Sequence, residues 1–311
     1  MDSKVSALPL SGFWTWDHST NWSADVTKVE SGCFNRYAKT PESFLEDYRL
    51  LMDAMSAQGI GWLIIWGLLR DSHGGEGAAH ELLRLARERG VRVLAGVGVN
   101  AYGGVYWEGD HPWNLGTWLR KNPALRAARR KSLMPNSCGR DIACPSKEEN
   151  IAWARQAVQW LLTRFDVAGM NLETGDYGLC GCDDCRRACG DREAPCAFED
   201  MARVLPPVID AACAVRPEAV ITYATYAPFD SALARTPPAF ARTIAPQAVC
   251  QWTLTPMAGP APDGWPEGLR PPTARNVGFS HWGSQWTAPN TRHALNIEHI
   301  RNLCRRGARS G

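Results

Sequence analysis

Seven short β-rich runs separated by helical patterns constrain this chain more than any other feature. Strand-like runs alternating with helical stretches are the pattern of βα units feeding a parallel sheet. The runs occupy residues 12–20 (GFWTWDHST), 62–69 (WLIIWGLL), 91–99 (VRVLAGVGV), 167–173 (VAGMNLE), 219–226, 248–254 and 276–282. Between the first two, residues 41–59 carry Phe44, Tyr48, Leu51, Met52 and Met55 at helical spacing and stop at Gly59. Residues 78–90, 147–165 and 198–215 repeat the helical pattern, with Pro206 and Pro207 predicting a break or kink in the last. Residues 291–311 read as the seventh helix. The 311 residues, 45% hydrophobic, suffice for one α/β domain of the (β/α)8 TIM-barrel type. No eighth strand pattern is visible, so the expected fold is a TIM-type barrel lacking its final strand in this chain. One domain is expected over 1–311, with a long insertion at 100–145 and a Cys-rich loop at 176–196.

The fourth run leads straight into the chemistry. Alternate residues of a strand share a face, so Asn171 and Glu173 are expected to point one way and Met170 and Leu172 the other. Thr174, Gly175 and Asp176 then turn the chain, which places Glu173 at the strand's carboxyl end, where α/β barrels keep their chemistry. Cys180, Cys182 and Cys185 follow as C-x-C-x-x-C, a spacing that supplies three thiolates to a tetrahedral Zn²⁺ from one tight turn. A fourth ligand comes from elsewhere, the candidates being Cys144, Cys138, Cys189 and Cys196. A closed four-sulfur site of this kind is structural, since it leaves no open position for water.

Composition narrows the partners. Lys and Arg total 34 against 32 Asp and Glu, so no global field favours nucleic acid or an anionic membrane. The opening MDSKVSALPLSG lacks a basic segment followed by an apolar core, and no later run approaches the ~20 apolar residues of a membrane span. The expectation is a soluble, cytoplasmic protein, whose eleven cysteines are reduced or metal-bound rather than paired as disulfides. A homo-oligomer is compatible with this composition. The segment GVGVNAYGG lacks the glycine spacing of a dinucleotide site, and RAARRK at 126–131 reads as a solvated face.

C-P-S before a helix, then a strand ending in Glu, then C-x-C-x-x-C resembles the glycoside hydrolase family 42 β-galactosidases, over residues 140–187. Those are (β/α)-barrel enzymes with a structural zinc. The resemblance implies Cys144, Cys180, Cys182 and Cys185 as zinc ligands and Glu173 as general acid/base. In that family Asn directly precedes the Glu, whereas here Leu172 stands between Asn171 and Glu173. Its nucleophile is a Glu at the end of strand seven, where this chain offers His281, Trp282, Gln285 and Trp286.

Glycoside hydrolysis generally asks for two carboxyl groups across the scissile bond. Glu173 is the expected acid, and Asp176 the expected second catalytic group, with Asp17, Asp71, Glu108 and Asp110 as other partners within the chain. Sugars present C–H faces to indoles and hydroxyls to planar acceptors, and tryptophan is abundant, at 14 residues. Aromatic and polar groups recur at strand ends, giving Trp16, Asp17, His18, Trp66, Arg70, Asn171, Tyr226, His281 and Trp282 as expected substrate-binding residues. The expected function is a glycosidase acting on a carbohydrate. A non-catalytic glycan-binding barrel is the alternative, and a cysteine redox protein is disfavoured because C-x-C-x-x-C is not the thioredoxin-type pair.

Overall fold

A computed structural model describes residues 11–16, 40–128, 141–174, 180–189, 197–225, 248–253 and 276–279. Seven parallel strands lie side by side in chain order: β1 (Gly12–Trp16), β2 (Trp62–Trp66), β3 (Arg92–Gly98), β4 (Gly169–Glu173), β5 (Val220–Thr225), β6 (Val249–Thr253) and β7 (Asn276–Phe279). Among the described residues no ladder joins β7 to β1. The residues after Phe279, including the expected last helix, lie outside the described residues.

The sheet is strongly curved, and one side-chain contact requires it. Strands lie ~4.8 Å apart, so β1 and β4 would be ~14 Å apart in a flat sheet, beyond the combined reach of an indole and an amide. Trp14 Nε1 of β1 nevertheless donates to Asn171 Oδ1 of β4 at 3.3 Å. Parallel strands right-twisted and rolled in this way present one concave face, and alternation sorts the side chains onto it. Leu63 and Ile65, Val93, Ala95 and Val97, Met170 and Leu172, and Ile221 and Tyr223 join the main apolar core with the helices. Trp66, Asn171, Thr222 and Gln251 face inward and touch one another across the curve.

Helices α1 (Pro41–Ala57), α2 (Gly75–Glu88), α4 (Glu148–Arg164) and α6 (Ala197–Val215) carry the covering stripes. In α1 the stripe is Phe44, Tyr48, Met52 and Met55, and the helix starts with a capping box between Thr40 and Ser43. Two features depart from the sequence expectations. The insertion holds a helix of its own, α3 (Leu115–Lys121), whose cap Asn114 accepts from Thr117 N at 2.9 Å. In addition, α6 runs on as one unbroken helix through Pro206 and Pro207. Two prolines remove two intrahelical donors, but Val204, Leu205, Val208 and Ile209 around them are fully buried, and that packing holds the helix together. A short helix, α5 (Asp183–Cys189), also occupies part of the Cys-rich loop.

Candidate functional site

Glu173 ends β4 with 2% of its surface exposed, and its carbonyl accepts from Val99 N at 2.7 Å. Its neighbour across the ladder is Gly98, and that of Asn171 is Gly96. Both glycines leave the carboxyl-end half of the concave face of β3 free of side chains, beyond Leu94. A Cβ on Gly98 would lie 2.0 Å from Ala101 O, because the chain folds back over the strand end there. One on Gly96 would lie 2.4 Å from the Trp66 ring, which crosses β3 to reach Asn171.

Below Glu173 lies an aromatic and amide floor. Asn171 Oδ1 accepts from Trp66 Nε1 at 2.9 Å and from Trp14 Nε1 at 3.3 Å, while its Nδ2 donates to Thr222 Oγ1 at 2.7 Å and Gln251 Oε1 at 2.8 Å. Trp66 meets Tyr102 and Trp107 edge-on, with ring centroids 5.9 and 5.7 Å away. Tyr102 holds a left-handed backbone, φ 55°, an unfavourable conformation for a residue with a Cβ, and stacks on Trp107 within the turn after β3.

Arg70, fully buried past the end of β2, lies 5.3 Å over the Trp107 ring and donates to Glu108 Oε2 at 3.1 Å. Beside it Tyr106 OH donates to Asp71 Oδ1 at 2.6 Å. Burial, then the Asp71 carboxylate, push the Tyr106 hydroxyl well above the usual phenol range, so it stays a donor. His111 stacks on Tyr106 at 4.2 Å, and burial lowers its imidazole pKa against the opposing pull of Glu76 and Asp71.

Some 7 to 12 residues after Glu173, the chain forms a sulfur cluster. The Sγ atoms of Cys144, Cys180, Cys182 and Cys185 all lie within 4.8 Å of one another, a group that can hold a metal ion. Cys144 Sγ is 3.8 Å from Cys182 Sγ and 3.7 Å from Cys185 Sγ. A tetrahedron with ~2.3 Å metal–sulfur arms has edges of ~3.8 Å, so these two spacings match the edges of such a centre. Backbone amides of Ala128 and Cys182 donate to Cys180 Sγ at 3.2 and 3.4 Å. Contact with the Cys144 thiol and these amides push the Cys180 thiol down to about 5, against its burial. Arg203 donates to Ser146 Oγ, which lies 2.9 Å from Cys185 Sγ, so the hydroxyl proton is free to point at the sulfur. Cys144 is tied to the Glu173 end through Ala143, whose amide donates to Asn100 O at 2.8 Å, next to Val99.

The residues expected from sequence fall into three groups. Glu173, Asn171, Trp66 and Arg70 line or underlie one strand-end region, and Cys144, Cys180, Cys182 and Cys185 cluster. Of Trp16 the backbone alone is described, paired with Trp66. Asp17, His18, Asp176, Tyr226, His281 and Trp282 lie outside the described residues, as do Cys138 and Cys196. Among the other carboxylates, Asp71 is engaged by Tyr106, Glu108 by Arg70, and Asp110 projects to solvent beside Arg120. Sequence reasoning missed Thr222, Gln251, Tyr102 and the two β3 glycines. Polar residues within the largely apolar strands β5 and β6 are the signal for the first two, since a buried polar side chain needs an interior partner.

No protein family and no curated protein matches the sequence. Among solved structures, the chain is similar to a β-galactosidase from the haloarchaeon Halorubrum lacusprofundi at 13% identity and a TM-score of 0.48, covering 79% of this chain and 40% of that one. It is similar to an α-amylase from Geobacillus thermoleovorans, complexed with acarbose, at 11% identity and a TM-score of 0.45, over 78% and 51% of the two chains. An exo-β-N-acetylglucosaminidase from Vibrio harveyi matches at 9% identity and a TM-score of 0.44, over 68% and 36%. The chain thus spans about half or less of the length of these proteins.

Proposed function

We propose that this chain is a glycoside hydrolase-like enzyme on a (β/α)-barrel, with Glu173 as the general acid/base. The observation that carries this reading is the placement of Glu173: a carboxyl group 2% exposed at a strand's carboxyl end, directly above a floor of indoles held by Asn171. A sugar ring stacks through its C–H face on Trp14, the half-buried indole of that floor, which brings its glycosidic oxygen to the strand ends. Glu173 gives its proton to that oxygen as the C–O bond breaks, and recovers one from the water that completes the hydrolysis. Asp176 is assigned the second carboxyl role, as nucleophile or as base for that water. Arg70, held over Trp107, and Trp16, Asp17, His18, Tyr226, His281 and Trp282 are assigned to substrate hydroxyls and ring faces.

The sulfur cluster is assigned to a structural Zn²⁺ bound by Cys144, Cys180, Cys182 and Cys185. When bound, the ion supplies cross-linking charge and no open coordination position. Its four ligands tether the segment after Glu173 to the strand-three loop through Cys144. Thiols kept for a metal suit a reducing, cytoplasmic setting.

The test is Glu173→Gln. Sugar binding should persist while turnover falls by ~10²-fold or more, with a smaller loss on substrates carrying good leaving groups. Rates on both substrate types that ignore the substitution would place the acid elsewhere. The engagement of Asp71 and Glu108 by protein groups favours one second reading, a glycan-binding barrel without hydrolysis. Saturable sugar binding by a wild type that hydrolyses no glycoside would select it.

A further inference from the structure

Asn171 has an unusual complement of partners for one side chain. It is fully buried one inward position below Glu173, and its four bonds go to residues of β1, β2, β5 and β6. A side-chain amide has two acceptor lone pairs and two N–H donors, and here each is used. The orientation is forced, because an indole N–H only donates: Trp14 and Trp66 require Oδ1 on their side, and Nδ2 must then face Thr222 and Gln251. Turning the amide over would set N–H against N–H twice within a buried site. Nothing remains on the group to bind a substrate hydroxyl unless a protein bond breaks first.

The bonds instead fix other groups. Trp66 crosses the bare backbone of Gly96 to reach the amide, and Tyr102 and Trp107 rest edge-on against its ring. Trp107 in turn lies under the Arg70 guanidinium. One amide therefore sets the pose of the indoles under Glu173 and, through them, of the aromatic turn and the arginine beside it. The geometry points to Asn171 as a positioning residue, which holds Trp14 and Trp66 as the platform beneath the acid rather than touching the sugar; its part in catalysis rests on the hydrolase reading above.

Two near-isosteric changes separate its halves. Asn171→Asp keeps an acceptor for both indoles and loses the donors to Thr222 and Gln251, whereas Asn171→Leu loses all four bonds at similar volume. In the full chain, the indole N–H resonances of Trp14 and Trp66, identified by their loss in Trp14→Phe and Trp66→Phe, report the platform directly. Asn171→Leu should shift both and speed their hydrogen exchange about tenfold or more, while Asn171→Asp should hold exchange within about threefold of wild type. On any glycoside the wild type hydrolyses, kcat should fall about tenfold in the leucine variant and recover substantially in the aspartate one, with the pH profile set by Glu173 retained. Unmoved indoles in Asn171→Leu, or equal disturbance by both variants, would overturn the assignment. If the leucine variant does not fold, the aspartate variant alone decides, since loss of both indole positions with an acceptor still present refutes the role. If the indoles respond as expected and the wild type hydrolyses no glycoside, the platform role stands and the hydrolase reading falls.

Discussion

Gly96→Ala tests the floor most sharply. Gly96 has an ordinary backbone conformation, so the whole penalty arises from contacts. The new Cβ would lie 2.4, 2.4 and 2.7 Å from three ring atoms of Trp66. Carbon atoms pack at ~3.5 Å or more, so the indole must retreat by about 1 Å. It cannot do so freely: the ring is fully buried, Tyr102 and Trp107 abut it, and its N–H is bonded to Asn171 at 2.9 Å. Overpacking costs ~1–3 kcal/mol, an indole N–H left unpaired a further ~1–3, and alanine recovers ~0.5–1 through lower chain entropy, which together give a net loss of about 1–5 kcal/mol. Urea denaturation followed by far-ultraviolet circular dichroism measures that loss, and the near-ultraviolet bands should change as the indole moves. The control is the same change in a Trp66→Ala background, where the added methyl enters vacated space and its cost should disappear or reverse. A Gly96→Ala chain within ~0.5 kcal/mol of wild type, or an equal penalty in both backgrounds, would refute the claim that this glycine exists to admit the indole.

Three further outcomes follow from the site. About one zinc per chain should copurify under reducing conditions with sulfur neighbours at ~2.3 Å, and Cys182→Ser should lower stability more than any chemical step; elemental analysis without metal ends that assignment. In Glu173→Gln, the loss of turnover should be smallest on aryl glycosides whose leaving group needs no proton, measured as the ratio of kcat/KM between activated and unactivated substrates. His111 is held by burial below its unfolded value, so the unfolded chain takes up its proton first as pH falls through ~6.5 and this residue's contribution to stability declines there. Replacing it with Asn, which keeps an acceptor for Trp113 N, should flatten that part of the stability profile, and an unchanged slope between about pH 7 and 5 would refute the coupling.

Much of the site's local geometry was legible in the chain. Period-two alternation set Asn171 and Glu173 on one face of β4 and Met170 and Leu172 on the other, and helical spacing marked Phe44, Tyr48, Met52 and Met55 as one buried stripe. The spacing of Cys180, Cys182 and Cys185 fits a single turn, while Cys144 was one of four candidates for the last position until tertiary structure brought its sulfur to 3.7 Å from that of Cys185. These are short-range matters, decided by which way successive side chains point and how tightly a few residues can turn.

The partners of Asn171 are of another kind. They come from residues 14, 66, 222 and 251, and no local pattern says which of them meet. That depends on the curvature and register of seven strands, which bring β1 over β4 and leave Gly96 as the gap through which Trp66 reaches. The same holds for α6, where burial of the flanking apolar residues overrides two prolines, and for α3, which forms inside the long insertion. Sequence determined which residues face inward and what chemistry they carry; the rolled sheet alone decided which of them touch, because a hydrogen bond across strands is a property of packing geometry and not of neighbours in the chain.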